Sequence, residues 1–129
     1  MSDTLLIIED NEQNLYMMRY LLENSGFEVI GAENGKEGIE KALLYKPKAI
    51  LLDIQLPEMD GYSVAAELIK YKELETVPII AVTSYAMVGD REQILSAGAT
   101  GYIEKPINPD TFVSEITEYI RKTMDKKEG

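Results

Sequence analysis

Five short apolar runs recur along the chain, their starts roughly 20 to 30 residues apart: Leu5 to Ile8, Phe27 to Ile30, Ala49 to Leu52, Val77 to Val82 and Gly101 to Ile103. The middle runs are continuously apolar rather than alternating. That pattern suits parallel strands whose two faces are both covered. Between the runs the apolar spacing lengthens to three and four. Leu15, Met18, Leu22 and Ser25 step in this way, with Gly26 as a stop. Asn34 and Glu37 make an Asn-x-x-Glu capping pattern ahead of Ile39, Ala42 and Leu43. A third helix starts near Asp60-Gly61, with Val64, Leu68 and Tyr71 inward, and a fourth runs through Ile94 and Leu95 to Ala97-Gly98. The last is announced by Asn108 as N-cap and Pro109 at the first helical position, and it buries Phe112, Ile116 and Tyr119 or Ile120.

A strand-helix unit repeated five times, with right-handed crossovers, gives an open parallel sheet with helices on both faces. The expected fold is α/β: a flavodoxin-like (βα)5 three-layer sandwich whose five-stranded parallel sheet has the order 2-1-3-4-5. The 129 residues suit one domain, read as 1–124, with 125–129 (DKKEG) as a frayed tail.

Composition removes several classes of chemistry. The chain has no cysteine and no histidine, so disulfides, thiolate or imidazole metal sites, and Ser-His-Asp or Cys catalysis are excluded. A net charge of −10 disfavours a nucleic-acid partner, which needs a basic face. No apolar run approaches the roughly 18 residues of a membrane span, and MSDTLLIIED lacks the basic start of a signal peptide. A cytoplasmic location without membrane attachment is the expectation.

What remains is carboxylate chemistry. In open α/β sheets the working groups lie beyond the carboxyl ends of the strands, at the switch in strand order. Here the first strand ends at Glu9-Asp10, the third at Asp53, the fourth at Thr83-Ser84 and the fifth at Lys105. With strands one and three adjacent, three carboxylates share one pocket. Two of them about 4 Å apart repel by roughly 4 kcal/mol at an effective dielectric near 20. One lysine cannot neutralise all three, whereas a hard divalent cation with oxygen ligands, Mg²⁺ or Mn²⁺, can. In such a site Asp53 can act as a nucleophile towards phosphorus, with Lys105 and the Thr83 hydroxyl beside the phosphoryl oxygens.

The segments IIED (7–10), LLDIQLPEMDG (51–61), TSYA (83–86) and YIEKPI (102–107) resemble the receiver domain of two-component response regulators over essentially the whole chain. IEDNEQN, DIQLPEMDG and AVTSYAMVGDREQILSAGATGYIEKPI are similar to free-standing regulators of the DivK type. The resemblance implies that Asp53 accepts a phosphoryl group from a histidine kinase or histidine phosphotransfer protein. It implies a metal held by Asp10 directly, Glu9 through water, Asp53 and the backbone carbonyl of Gln55. It makes Thr83 and Tyr102 the switch pair, Lys105 the phosphate-contacting lysine and Lys105-Pro106 a cis peptide. Pro57 and Gly61 become the loop that folds back beside the acceptor, while Gln55 and Tyr85 flank the site and tune phosphate lifetime. The phosphorylated state would present a surface of helix 4, strand 5 and helix 5 to a downstream protein, the unphosphorylated form being a monomer. Catalysis would extend only to its own phosphorylation and slow dephosphorylation.

Other readings fit less well. A phosphatase of the haloacid dehalogenase type wants a second aspartate where Gln55 stands. A flavin carrier wants Ser, Thr and Gly where EDNEQN stands, and a P-loop enzyme wants GxxxxGK[ST], which is absent. A receiver-like module that binds without phosphorylation, or a receiver cut from a hybrid kinase or multidomain regulator, ranks next.

Overall fold

The computed structural model describes residues 3–56, 58–84 and 88–128, so Pro57 and Tyr85 lie outside the described residues. Five parallel strands, β1 (Thr4–Ile8), β2 (Glu28–Ala32), β3 (Ala49–Asp53), β4 (Ile79–Thr83) and β5 (Gly101–Glu104), form one sheet in the order β2-β1-β3-β4-β5. The order is the flavodoxin-like one expected for the repeated strand-helix units.

Alternation along the strands divides the core. Leu6, Ile8, Ile50, Leu52, Ile79 and Ala81 face one side, where α2 (Gly35–Tyr45), α3 (Gly61–Leu68) and α4 (Val88–Ser96) bring Ala42, Val64, Leu68 and Ile94. Leu5, Ile7, Leu51, Ile80, Val82 and Ile103 face the other, under Met18 and Leu22 of α1 (Glu12–Asn24) and Phe112, Ile116 and Ile120 of α5 (Phe112–Glu128). Helices α1, α2, α3 and α5 contribute apolar stripes at the period their sequences carry, whereas among the described residues of α4 only Ile94 is buried. The central strands β3 and β4 are buried at every residue, whereas β2 and β5 at the edges are only partly so.

Side-chain caps set three helix starts, with Asn11, Asn34 and Asp60 accepting from the N–H groups of Asn14, Glu37 and Ser63. Glu37 completes a capping arrangement one residue further out than the sequence pattern predicts, accepting from the Glu33 N–H at 2.8 Å. Helix α1 ends at Gly26, whose φ of +98° lets Gly26 and Phe27 donate back to the Glu23 and Leu22 carbonyls.

Several boundaries differ from the sequence reading. Helix α3 ends at Leu68, so Tyr71, though packed against the core, lies beyond it. Phe27 closes α1, so β2 begins at Glu28. Val77 donates to Leu74 at the end of a 3₁₀ turn (Lys72–Leu74), and β4 begins only after Pro78, which has no N–H to donate. Asn108 accepts from the Asp110 N–H in a local turn and α5 starts at Phe112, because an Asn side chain can close a turn as readily as it caps a helix. The backbone of α5 continues through 125–128, which the sequence reading set apart as a tail.

Candidate functional site

The functional residues sit where β1, β3, β4 and β5 run out. Beyond Ile8 the ladder extends one residue further, with the Glu9 N–H donating to the Ala32 carbonyl at 2.9 Å. This draws Glu9 inward to 1% exposure and leaves Asp10 at the surface. Asp53 closes β3 at 3% exposure and Thr83 closes β4 at 0%. Carboxylate oxygens of Glu9, Asp10 and Asp53 lie within 4.8 Å of one another.

Lys105 enters the cluster from the end of β5. Its main-chain N–H donates to the Thr83 carbonyl at 2.8 Å, and the peptide to Pro106 is cis, as the resemblance implies. Its ammonium stands 3.0 Å from Glu9 Oε1 and 3.3 Å from Asp53 Oδ1. Two main-chain donors also point in: Asn11 N–H reaches Glu9 Oε2 at 3.2 Å, and Gln55 N–H reaches Asp53 Oδ1 at 3.0 Å.

Three ionised carboxylates against one ammonium leave a formal charge of −2. The protein yields to this at Glu9, whose carboxyl is pushed up to about 7. Burial is the main cause and hydrogen bonding with Asp53 adds to it, while Lys105 opposes both. Burial pulls the Lys105 ammonium down, but its bonds to Glu9 and the charges of Asp53 and Glu9 outweigh that and raise it. Without a further cation, then, Glu9 takes up a proton as pH falls through about 7. An all-oxygen donor set, two of its members almost fully buried and short of positive charge, fits a hard divalent ion.

The loop after Asp53 is held by close backbone approach. Gly61 N–H donates to the Ile54 carbonyl at 2.9 Å, and a Cβ at Gly61 would stand 2.4 Å from Ile54 Cα and 2.8 Å from the Asp53 carbonyl oxygen. Only glycine lets α3 start against the residue that follows Asp53.

Tyr102 is half-buried on β5, its ring packed towards the α4 side with the Arg91 guanidinium 5.0 Å from the ring centroid. Two contacts around it escape sequence reasoning. Arg91 carries no motif, and Tyr119, read there only as a partly buried helix residue, hydrogen-bonds the Tyr102 backbone across 17 positions. A cavity of about 610 Å³ opens beside Thr4, Lys48, Pro78 and Met124, and none of the residues placed at the carboxylate cluster lines it.

A parallel sheet wound in this order, with carboxylates and a lysine at its strand ends, defines the class of signalling receivers. The chain belongs to the response regulator receiver domain family, which it matches over residues 5–117. It is 43% identical over 120 residues to the polar-differentiation response regulator DivK of Brucella anthropi, covering 93% of this chain and 98% of that one. The DivK of Brucella ovis is 42% identical over the same span of 120 residues. Among solved structures it is similar to a CheY-like receiver domain protein from Methanospirillum hungatei JF-1, with TM-score 0.88, 32% identity and 100% of both chains covered. It is also similar to the receiver domain of the sensor histidine kinase PA1611 from Pseudomonas aeruginosa PAO1, with TM-score 0.85, 32% identity, and 93% and 98% covered. That structure has a magnesium ion coordinated in its active site cleft. Among the described residues, no helix is long and apolar enough to cross a membrane.

Proposed function

We propose that the chain is a phosphorylation switch in which Asp53 accepts a phosphoryl group from a phosphohistidine on a histidine kinase or phosphotransfer protein. The observation that carries this reading is the Glu9, Asp10 and Asp53 cluster with Lys105 against two of its members. Asp10 and Asp53, with the Gln55 carbonyl and with Glu9 through water, would hold Mg²⁺, or Mn²⁺ in its place. The magnesium-loaded cleft of the PA1611 receiver supports the assignment. When bound, the ion supplies charge neutralisation to the carboxylates and to the phosphoryl oxygens.

An Asp53 carboxylate oxygen attacks phosphorus in line with the leaving imidazole. The new O–P bond forms as the P–N bond breaks, and the electron pair stays with the partner's histidine. Lys105 turns from the carboxylates to the phosphoryl oxygens, and the Thr83 hydroxyl donates to one of them. Thr83 moving inward leaves room for the Tyr102 ring, which biases the surface of α4, β5 and α5 read by a downstream protein. The same site would catalyse slow hydrolysis of the acyl phosphate, at a lifetime tuned by Gln55 and Tyr85. The chain would act in the cytoplasm and be a monomer before phosphorylation.

Intact mass after incubation with acetyl phosphate tests the reading. The expected result is a Mg²⁺-dependent gain of one phosphoryl group that Asp53→Asn abolishes. A gain of the same size in the mutant would remove Asp53 as acceptor. No gain from either acetyl phosphate or a panel of histidine kinases would favour a module that binds unphosphorylated.

A further inference from the structure

Edge strands leave main-chain groups facing away from the sheet, and proteins must cover them or accept unwanted strand pairing. On β2 the outward carbonyls of Val29 and Gly31 are met by cations: Arg19 Nη2 of α1 at 3.4 Å and Lys41 Nζ of α2 at 2.7 Å. The opposite edge is treated differently. The Lys105 N–H points inward to Thr83 on β4. Residues two apart along a strand direct their main-chain groups to the same side, so Ile103 and Gly101 also face β4 and Tyr102 faces outward. Both outward groups of Tyr102 are taken by one side chain. Its N–H donates to the Tyr119 hydroxyl at 3.4 Å, and that hydroxyl donates to its carbonyl at 3.2 Å.

Gly101 makes this possible. A Cβ there would lie 2.1 Å from Tyr119 Cε1, so the ring occupies the space that any other residue's side chain would fill. Tyr102 is therefore gripped from both faces of the sheet. Arg91 of α4 covers its ring, and Tyr119 of α5 holds its backbone. A phenylalanine at 119 would fill the same socket without touching the strand edge, so the hydroxyl has a role that packing does not explain.

We propose that Tyr119 is a positioning residue of the switch: through its hydroxyl, α5 holds the outer edge of β5 at Tyr102, so that displacement of the switch strand and displacement of α5 are one event. This rests on the reading of Tyr102 as the switch aromatic. The same contact closes the β5 edge to strand addition, leaving α4 and α5 side chains as the means of partner recognition on that face.

Residue-resolved amide exchange on the full chain, wild type beside Tyr119→Phe, tests the proposal. Without phosphorylation the Tyr102 amide should exchange about 2- to 10-fold faster in the mutant, the range one net hydrogen bond supplies. The Ile103 amide, which faces β4, should scarcely move, and the melting temperature should fall by about 6 °C at most. Gly101→Ala, which must push the Tyr119 ring aside, should expose the same amide with the hydroxyl still present in the chain. Unchanged Tyr102 exchange in both variants would overturn the contact. On adding acetyl phosphate and Mg²⁺, amide changes at Tyr102 should extend into α5 in the wild type and stop at β5 in Tyr119→Phe. An α5 response of equal size in the mutant would overturn the coupling. A wild type that gains no phosphoryl mass defeats the functional reading and the switch role with it, while the resting exchange still decides whether Tyr119 holds the strand.

Discussion

Replacing Gly61 by alanine tests how tightly the loop after Asp53 is built. The added Cβ would lie 2.4 Å from Ile54 Cα and 2.8 Å from the Asp53 carbonyl oxygen, and contact at an ordinary 3.4 Å requires a main-chain displacement of 1.0 Å or more. Neither atom belongs to a side chain that can rotate away. Overpacking of this kind costs about 1–3 kcal/mol. Loss of the Gly61 N–H bond to the Ile54 carbonyl adds about 1 kcal/mol. For a chain of 129 residues, 1 kcal/mol shifts the melting temperature by about 4 °C, so a drop of roughly 8–16 °C is expected. The control is Gly89→Ala on α4, an exposed position where a Cβ meets no described atom within 4 Å. There the helix gains up to about 1 kcal/mol. Phosphoryl uptake from acetyl phosphate should fall about 100-fold in Gly61→Ala, as expected for a reacting group misplaced by about 1 Å, and hold its rate in Gly89→Ala. Scanning calorimetry and timed intact-mass spectra read both arms. Equal melting temperatures for Gly61→Ala and wild type would refute the claim that backbone contact at Gly61 sets the loop.

Glu9 links metal binding to pH. Its carboxyl sits near 7 in the folded chain against 4.5 ordinarily, so its contribution to stability is complete below 4.5 and is lost as pH rises through about 7. In the proposed site Mg²⁺ and that proton would both neutralise the same carboxylate cluster, so the rise in melting temperature on adding Mg²⁺ should be larger near pH 8 than near pH 5. A Mg²⁺ effect independent of pH would take the Glu9 proton out of the site. Lys105→Ala leaves Glu9 and Asp53 buried without their cation. Metal-free stability in urea should drop by a few kcal/mol near pH 8 and by less near pH 5, where Glu9 can take up a proton. Equal losses at both would show that the lysine acts through packing alone.

Local chemistry wrote much of this molecule into its sequence. Ala49 to Leu52 are buried on both faces because a central parallel strand must be, and their unbroken apolarity declares it. Asn34 and Asp60 cap helices within three residues of themselves, so their neighbours suffice to identify them. The acidic cluster was legible for a related reason. Glu9 and Asp53 directly follow apolar runs, Asp10 is the next residue after Glu9, and strand order alone brings the ends of β1 and β3 together.

Competition between local and distant partners was decided elsewhere. Val77 and Asn108 each had two satisfactory uses, and both serve in turns. Only the folded chain could reveal that Glu9 is buried with its carboxyl pushed up while its neighbour Asp10 stays in water, because the bond from the Glu9 N–H to the Ala32 carbonyl draws Glu9 inward, where burial and Asp53 act on it. The grip of Tyr119 on Tyr102 needed tertiary structure most of all. A tyrosine, a glycine and a strand edge carry no mutual signal along the chain, and the hydroxyl finds its two partners only once α5 has packed across the sheet.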